Sequence, residues 1–175
     1  MNWLSGILVV SLLALGATTA SAQESAAEPK FDSAILDECL DARRDGDGDP
    51  FACIGRAANR CMETPEGGTT VGTSYCLKQE LDRWDLMLNE AYGAALTEAE
   101  ATDAEMKELG SAAPQQAPLL RDMQRKWIAF RDVACAYEES KWGGGSGGGP
   151  ASVQCAMKLT AQQYLNLIGD QTEEP

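Results

Sequence analysis

Carboxylates are the most abundant side chains here that could carry chemistry, since the chain has 27 Asp and Glu residues and no His. Three of them, Asp45, Asp47 and Asp49, alternate as in the first half of a calcium-binding loop. That loop needs Gly at its sixth position and Glu at its twelfth, where this chain has Pro50 and Arg56. We therefore interpret the segment as an acidic turn, predict no metal ion and no cofactor, and keep the turn as a candidate partner contact.

A glycine-rich run formally contains the G-x-S-x-G pattern of serine hydrolases. That pattern needs a preceding strand and a histidine partner, and the sequence offers neither. The run is also not a phosphate loop, because no Lys follows it in the required position. Two interpretations stay open: a flexible loop, or a loop that contacts a partner, since glycines let a backbone approach another surface closely. The run consists of Gly143, Gly144, Gly145, Ser146, Gly147, Gly148 and Gly149.

No catalytic group emerges from this inventory. A carboxylate pair could support glycoside hydrolysis, but with so many acidic residues no particular pair is singled out. We predict that the protein is not an enzyme.

The amino terminus has the layout of a secretory signal peptide. Residues 4–17 are mostly apolar and uncharged, and Ala20-Ser21-Ala22 provides a small-x-small cleavage pattern. A membrane anchor is the rival interpretation, but the apolar run is shorter than the roughly 20 residues that span a bilayer. We expect cleavage after residue 22, a disordered lead-in over 23–30, one domain over 31–170, a disordered tail over 171–175, and no membrane attachment afterwards.

Six cysteines follow the signal peptide, and an even number in an exported chain predicts three disulfides. Zinc is a poor alternative, because the chain has no C-x-x-C pair and no His. Two cysteines flank each of three loops at similar distances, and antiparallel helices would bring such residues together. Cys53 and Cys61 would lie two turns apart on one predicted helix over 50–62, too far to join. The predicted pairs are Cys39–Cys53, Cys61–Cys76 and Cys135–Cys155.

The net charge of −13 makes nucleic acids and anionic membranes unsuitable partners. A basic protein would be attracted to such a chain, although the charge could equally serve solubility alone.

Apolar residues recur at helical spacing throughout, and no segment alternates like a strand. We predict helices over 33–43, 50–62, 74–99 with a possible extension to 109, 118–142 and 151–168. The fold class is all-α, a small disulfide-stapled domain built on an antiparallel pair of long helices. The predicted inward face of the first long helix is Leu81, Trp84, Leu88, Tyr92 and Ala95, and that of the second is Leu120, Met123, Trp127, Phe130, Ala134 and Tyr137.

Polar groups lie among the aromatic residues of the two long helices. Asp85 and Asn89 are one turn apart on the first, and Arg131 on the second could bridge to either one if the helices pack antiparallel. We interpret this set as a structural network that fixes the register of the two helices.

The order of these residues resembles the LprI-type lysozyme inhibitor domain of bacteria, over about residues 61–167. The positions that carry the resemblance, besides the cysteines, are Trp84, Asp85, Leu88, Asn89, Tyr92, Gln124, Trp127, Arg131, Asp132 and Thr160. The resemblance implies a helical domain, periplasmic or secreted, that binds and blocks a lysozyme. This chain lacks the lipoprotein cysteine of the name-giving type, and it adds an amino-terminal segment with Cys39 and Cys53.

The first hypothesis is therefore a binding protein for a lysozyme-like muramidase, with the acidic turn and the glycine run as contact candidates. The second is an envelope structural or stress protein with another protein partner. The third, an enzyme acting on cell-wall sugars or peptides, has the least support, because His is absent and no free thiol is expected.

Overall fold

The computed structural model describes residues 28–44 and 48–170 of the chain. The predicted signal peptide, most of the lead-in, Asp45, Asp47 and the tail lie outside the described residues. Within them the regular structure is entirely helical, and no helix is both long and apolar enough to cross a membrane. The elements are α1 (Ala34–Arg44), a 3₁₀ helix (Pro50–Cys53), α2 (Arg56–Met62), α3 (Thr70–Glu108), α4 (Gln116–Ser140) and α5 (Gly148–Asp170).

The predicted helix over 50–62 is wrong, because the chain turns sharply in its middle. Gly55 has a φ of +88°, a left-handed conformation that glycine adopts without steric cost. The 3₁₀ helix ends at Cys53, and Gly55 is the cap residue from which α2 begins. Cys53 and Cys61 therefore lie on separate elements.

Three helices begin before their predicted starts, and α4 does so by two residues, at Gln116. The side chain of Thr69 accepts a hydrogen bond from the Gly72 amide at 2.9 Å, and this cap starts α3 four residues early. Helix α5 begins at Gly148, so the last two glycines of the run lie in its first turn, with Pro150. At its other end α3 extends to Glu108, as the lack of a helix breaker indicated.

The predicted packing of two long helices is confirmed, with α5 added to it. Contacts between α3 and α4 join Asp85 to Arg131 and Glu100 to Arg121, so the two run antiparallel. Helix α5 returns beside both and packs most extensively against α3. The spine is thus a three-helix arrangement, with α5 as the central partner of α3.

The core lies where the amino-terminal elements cover the α3–α5 pair. Trp84 is fully buried, and its ring lies 5.8 Å from that of Tyr164 on α5. Leu36 of α1 is also fully buried, so the added amino-terminal segment closes the core. The predicted inward face of α3 is buried or half-buried throughout.

Three disulfides join the elements: Cys39–Cys53, Cys61–Cys76 and Cys135–Cys155. These are the pairs expected from the loops, although the helix that was used to exclude Cys53–Cys61 is broken. They connect α1 to the 3₁₀ helix, α2 to α3, and α4 to α5. Each closes a loop whose cross-link removes about 3 kcal/mol of unfolded-chain entropy in the simplest treatment.

The predicted inward face of α4 is only half correct. Leu120, Trp127 and Ala134 are half-buried, whereas Met123, Phe130 and Tyr137 are exposed. The helix is rotated because its contacts with α3 and α5 are made by Ala117, Gln124, Arg131 and Cys135 instead.

A buried carboxylate joins α2 to α3. Glu80 of α3 is fully buried, and its oxygens accept hydrogen bonds from the amides of Gly55 at 2.6 Å and Ala58 at 2.7 Å. The indole N–H of Trp84 donates a third bond at 3.0 Å. The carboxylate therefore caps the amino terminus of α2, whose own cap residue Gly55 has no side chain, and complements the positive end of its dipole.

We expect Glu80→Ala to lower the free energy of unfolding by about 3–5 kcal/mol, because it leaves three buried N–H donors without an acceptor. Chemical denaturation with the disulfides intact measures this. Glu90→Ala, on an exposed position of the same helix, is the matched control and should change stability by about 0.5 kcal/mol or less. Equal effects of the two changes would contradict the capping role.

Candidate protein-binding site

Most of the signature residues of α3 face the interior. Trp84 and Leu88 are buried, and Tyr92 is half-buried further along the same face. Asp85 and Asn89 lie beside this face, where Asn89 donates a hydrogen bond to Asp85 at 3.0 Å. These positions build the surface on which α4 and α5 pack.

A polar network joins α3 to α4 as the sequence predicted. Arg131 Nη1 lies 3.9 Å from Asp85 Oδ1, and the same guanidinium donates to the neighbouring Asp132 at 2.9 Å. The Arg131 guanidinium also lies over the Trp127 ring, 5.1 Å from its centroid. Because Asp85 is about half exposed, the ion pair itself contributes at most about 1 kcal/mol, and its main effect is on helix register.

Gln124 of α4 and Thr160 of α5 are both buried. Gln163 donates a hydrogen bond to Gln124 at 3.3 Å, which links α5 to α4. Thr160 is fully buried, and its hydroxyl has no hydrogen-bond partner among the described residues. The signature positions therefore form the frame of the helical bundle and leave little surface for a ligand.

The acidic turn is described only at its end. Asp49 is exposed, and its side chain accepts a hydrogen bond from the Phe51 amide at 2.9 Å, which caps the 3₁₀ helix. One of the three candidate carboxylates is thus already used locally. Among the described residues no group of three or more acidic or cysteine side chains is placed to hold a metal ion.

The glycine run forms a compact turn between α4 and α5. Gly143 and Gly144 have φ values of +56° and +83°, which favour glycine at both positions. Backbone hydrogen bonds run from Gly145 to Trp142 at 2.8 Å and from Gly148 to Gly145 at 3.0 Å. With Cys135–Cys155 tying its two helices, the loop is a closed, hydrogen-bonded turn.

Trp142 is the large side chain that this loop presents. Its indole is 54% exposed and lies directly on Gly147, where a Cβ atom would come within 2.1 Å of the ring. Glycine at 147 is therefore required for the observed position of the indole. Trp142 ends the predicted helix over 118–142 and was not among the predicted contact residues, although an aromatic residue beside glycines was the available signal.

A pair of charged residues precedes Trp142 in the chain, at the end of α4. Glu138 accepts a hydrogen bond from Lys141 at 2.6 Å, which raises the pKa of Lys141 above its ordinary value. The Lys141 ammonium also lies 4.6 Å from the centroid of the exposed Tyr137 ring. Tryptophan is one of the residue types enriched among the anchors of protein–protein interfaces.

A known protein family matches the part of the chain that forms this helical bundle. The sequence model of the family "Lysozyme inhibitor LprI" matches residues 61–167, from α2 to near the end of α5. The chain belongs to the LprI lysozyme inhibitor family. All ten signature positions, two of the three disulfides and the glycine loop fall within the matched range.

Two relatives extend the comparison to whole proteins. An uncharacterized 17.7 kDa protein encoded in the puhA 5′ region of Rhodobacter capsulatus is 23% identical over 118 residues, 67% of this chain and 73% of that protein. An uncharacterized protein of Rhizobium meliloti (strain 1021) is 28% identical over 118 residues, 66% of this chain and 85% of that protein. No solved structure matches the chain.

We expect Gly147→Ala to displace the Trp142 indole, because the new methyl group would overlap the ring. The stability cost should be about 1 kcal/mol, since an exposed ring can move away, and near-ultraviolet circular dichroism should report the change. Gly149→Ala is the matched control, because its Cβ meets nothing within 4 Å, and in the first turn of α5 it should leave stability unchanged or raise it slightly. An unaltered aromatic signal in Gly147→Ala would refute the contact.

Proposed function

We propose that this protein is an exported binding protein that inhibits a lysozyme-like muramidase. The observation that carries the proposal is the family match, which spans the helical frame and the loop that the frame supports. The family is one of inhibitors, so we propose a function by binding and no catalysis of its own.

The charge of the chain suits a basic target. The net charge is −13, and α3 alone carries nine acidic and three basic residues. Many lysozymes are basic, so the field of the inhibitor would accelerate encounter and favour the correct orientation. This attraction is screened by salt, so the rate of association should fall as ionic strength rises.

The glycine loop supplies the proposed point of contact. A tryptophan on a rigid, disulfide-tied loop loses little conformational entropy when it is buried, which makes it an efficient anchor. Loss of an anchor of this kind costs at least about tenfold in affinity. Asp49, at the end of the acidic turn, is the second proposed contact.

An oxidising compartment fits the disulfides. All six cysteines are paired, and such bonds persist outside the cytoplasm. Together with the predicted signal peptide, this supports a periplasmic or secreted location.

We expect the oxidised protein to slow lysis of cell walls by at least one class of lysozyme in a turbidity assay, in proportion to the molar ratio. Trp142→Ala should weaken inhibition at least about tenfold, because it removes the proposed anchor. Leu109→Ala, which truncates another exposed apolar side chain at the end of α3, is the control and should inhibit like the unchanged protein.

Reduction of the disulfides tests whether inhibition depends on the stapled fold, and we expect it to abolish the effect. If the oxidised protein leaves the lytic rate unchanged at large molar excess, against several classes of lysozyme, the proposal fails. Recovery of a different envelope protein in a pull-down would then favour a structural or stress role.

A further inference from the structure

The outer face of α4 carries a stripe of apolar side chains that no described part of the chain covers. Five residues of this helix form it, and each is between 46 and 71% exposed. Because α3 and α5 pack on the other side of α4, the stripe faces solvent along most of the helix. We define the outer stripe of α4 as Leu119, Met123, Phe130, Val133 and Tyr137, with Lys126 between Met123 and Phe130.

The spacing of the outer stripe is regular. Its six positions, 119, 123, 126, 130, 133 and 137, are separated by alternating steps of four and three residues. This is the spacing that lets one helix pack along another with interdigitating side chains. The sequence of steps is the same when it is counted from either end of the helix. When a second copy is rotated by 180°, each position of its stripe therefore lies opposite a position of the first stripe. Such a surface meets the requirement of a two-fold interface between identical copies.

The charge of α4 also differs from that of the rest of the chain. The helix has four basic and four acidic residues, so its net charge is zero, whereas the whole chain carries −13. Two copies that meet through α4 therefore avoid the repulsion expected elsewhere on the surface. A strongly basic partner would find less attraction on α4 than on α3, which has a large acidic excess. The charges of α4 are Arg121, Arg125, Lys126 and Arg131 with Asp122, Asp132, Glu138 and Glu139.

The exposed area is sufficient for a modest dimer. The five apolar side chains expose on the order of 500 Å² together, which lies within the range of roughly 300–600 Å² for the largest apolar patch on a monomer, a patch that is often functional. With the stem of Lys126 and the polar rim, each copy would bury roughly 600 Å², near the lower limit for specific interfaces. Interfaces near this lower limit are typical of transient rather than permanent dimers.

We propose that the outer stripe of α4 is a self-association surface, through which two copies of this chain pair their α4 helices antiparallel about a two-fold axis near residue 128. In that register Leu119 of one copy faces Tyr137 of the other, and Met123 faces Val133. Lys126 of each copy lies beside the Phe130 ring of the other, where its ammonium can contact the ring face. Antiparallel pairing also aligns the two helix dipoles favourably. This inference does not depend on the identity of the inhibited enzyme.

Sedimentation velocity of the oxidised protein, at concentrations from about 1 to 500 µM, tests the proposal. We expect a monomer–dimer equilibrium in this range. Phe130→Lys should weaken it at least about a hundredfold, because every dimer contains the change twice and each new ammonium is buried beside Lys126 of the other copy. Arg125→Asp is the matched control, since the Arg125 side chain is 70% exposed on α4 outside the outer stripe, and it should dimerise normally.

Val133→Asp provides a second variant at an exposed position, and circular dichroism confirms that each variant keeps its helices. The proposal is overturned if the unchanged protein stays monomeric at 500 µM. It is equally overturned if a dimer forms but neither Phe130→Lys nor Val133→Asp weakens it more than Arg125→Asp. A monomer in which Phe130→Lys abolishes lysozyme inhibition would assign the stripe to the target enzyme and would also overturn self-association.

Discussion

Glu80 lies at the junction of α2 and α3 with its carboxylate fully buried, and the position of the amino-terminal third depends on it. Two backbone amides at the start of α2 and the indole of Trp84 donate hydrogen bonds to the same carboxylate. One side chain therefore fixes both the start of α2 and the position of the central aromatic ring of the core. The Cys61–Cys76 disulfide holds the other end of α2 to α3. With both ends fixed, α2 positions Cys53 and, through it, α1 over the core.

The helices and their disulfides could be predicted from the sequence, whereas this junction could not. Helical spacing and glycine-rich breaks are local signals, and cysteines that flank a loop have few partners within reach. Glu80 is one of 27 acidic residues, and nothing in its spacing distinguishes a buried cap from a solvated charge. The turn at Gly55 could not be predicted for a similar reason, since a single glycine inside a short apolar segment does not by itself indicate a left-handed conformation.

Helix α4 shows where hydrophobic spacing alone is ambiguous. Its sequence contains two neighbouring faces, one led by Trp127 and Ala134 and one by Phe130 and Val133, and both are compatible with burial. The contacts of Arg131 and Cys135 with α3 and α5 select the first face. A polar network and a disulfide therefore set the rotation of the helix, and the second apolar face is left exposed. Residue patterns miss this choice because it is made by long-range contacts.

The two exposed aromatic surfaces are compatible with one another in a single assembly. Trp142 lies about 14 residues beyond the proposed two-fold axis near residue 128, so antiparallel pairing of α4 would place the two glycine loops at opposite ends, roughly 40 Å apart along the helix direction. In that register Trp142 of one copy lies level with Pro114 of the other, so each glycine loop stands beside the α3–α4 connection of the second copy. The large acidic excess of α3 would remain outside the α4 contact, available to attract a basic protein from either end. Self-association through the outer stripe would therefore leave the acidic surface of α3 free for a target.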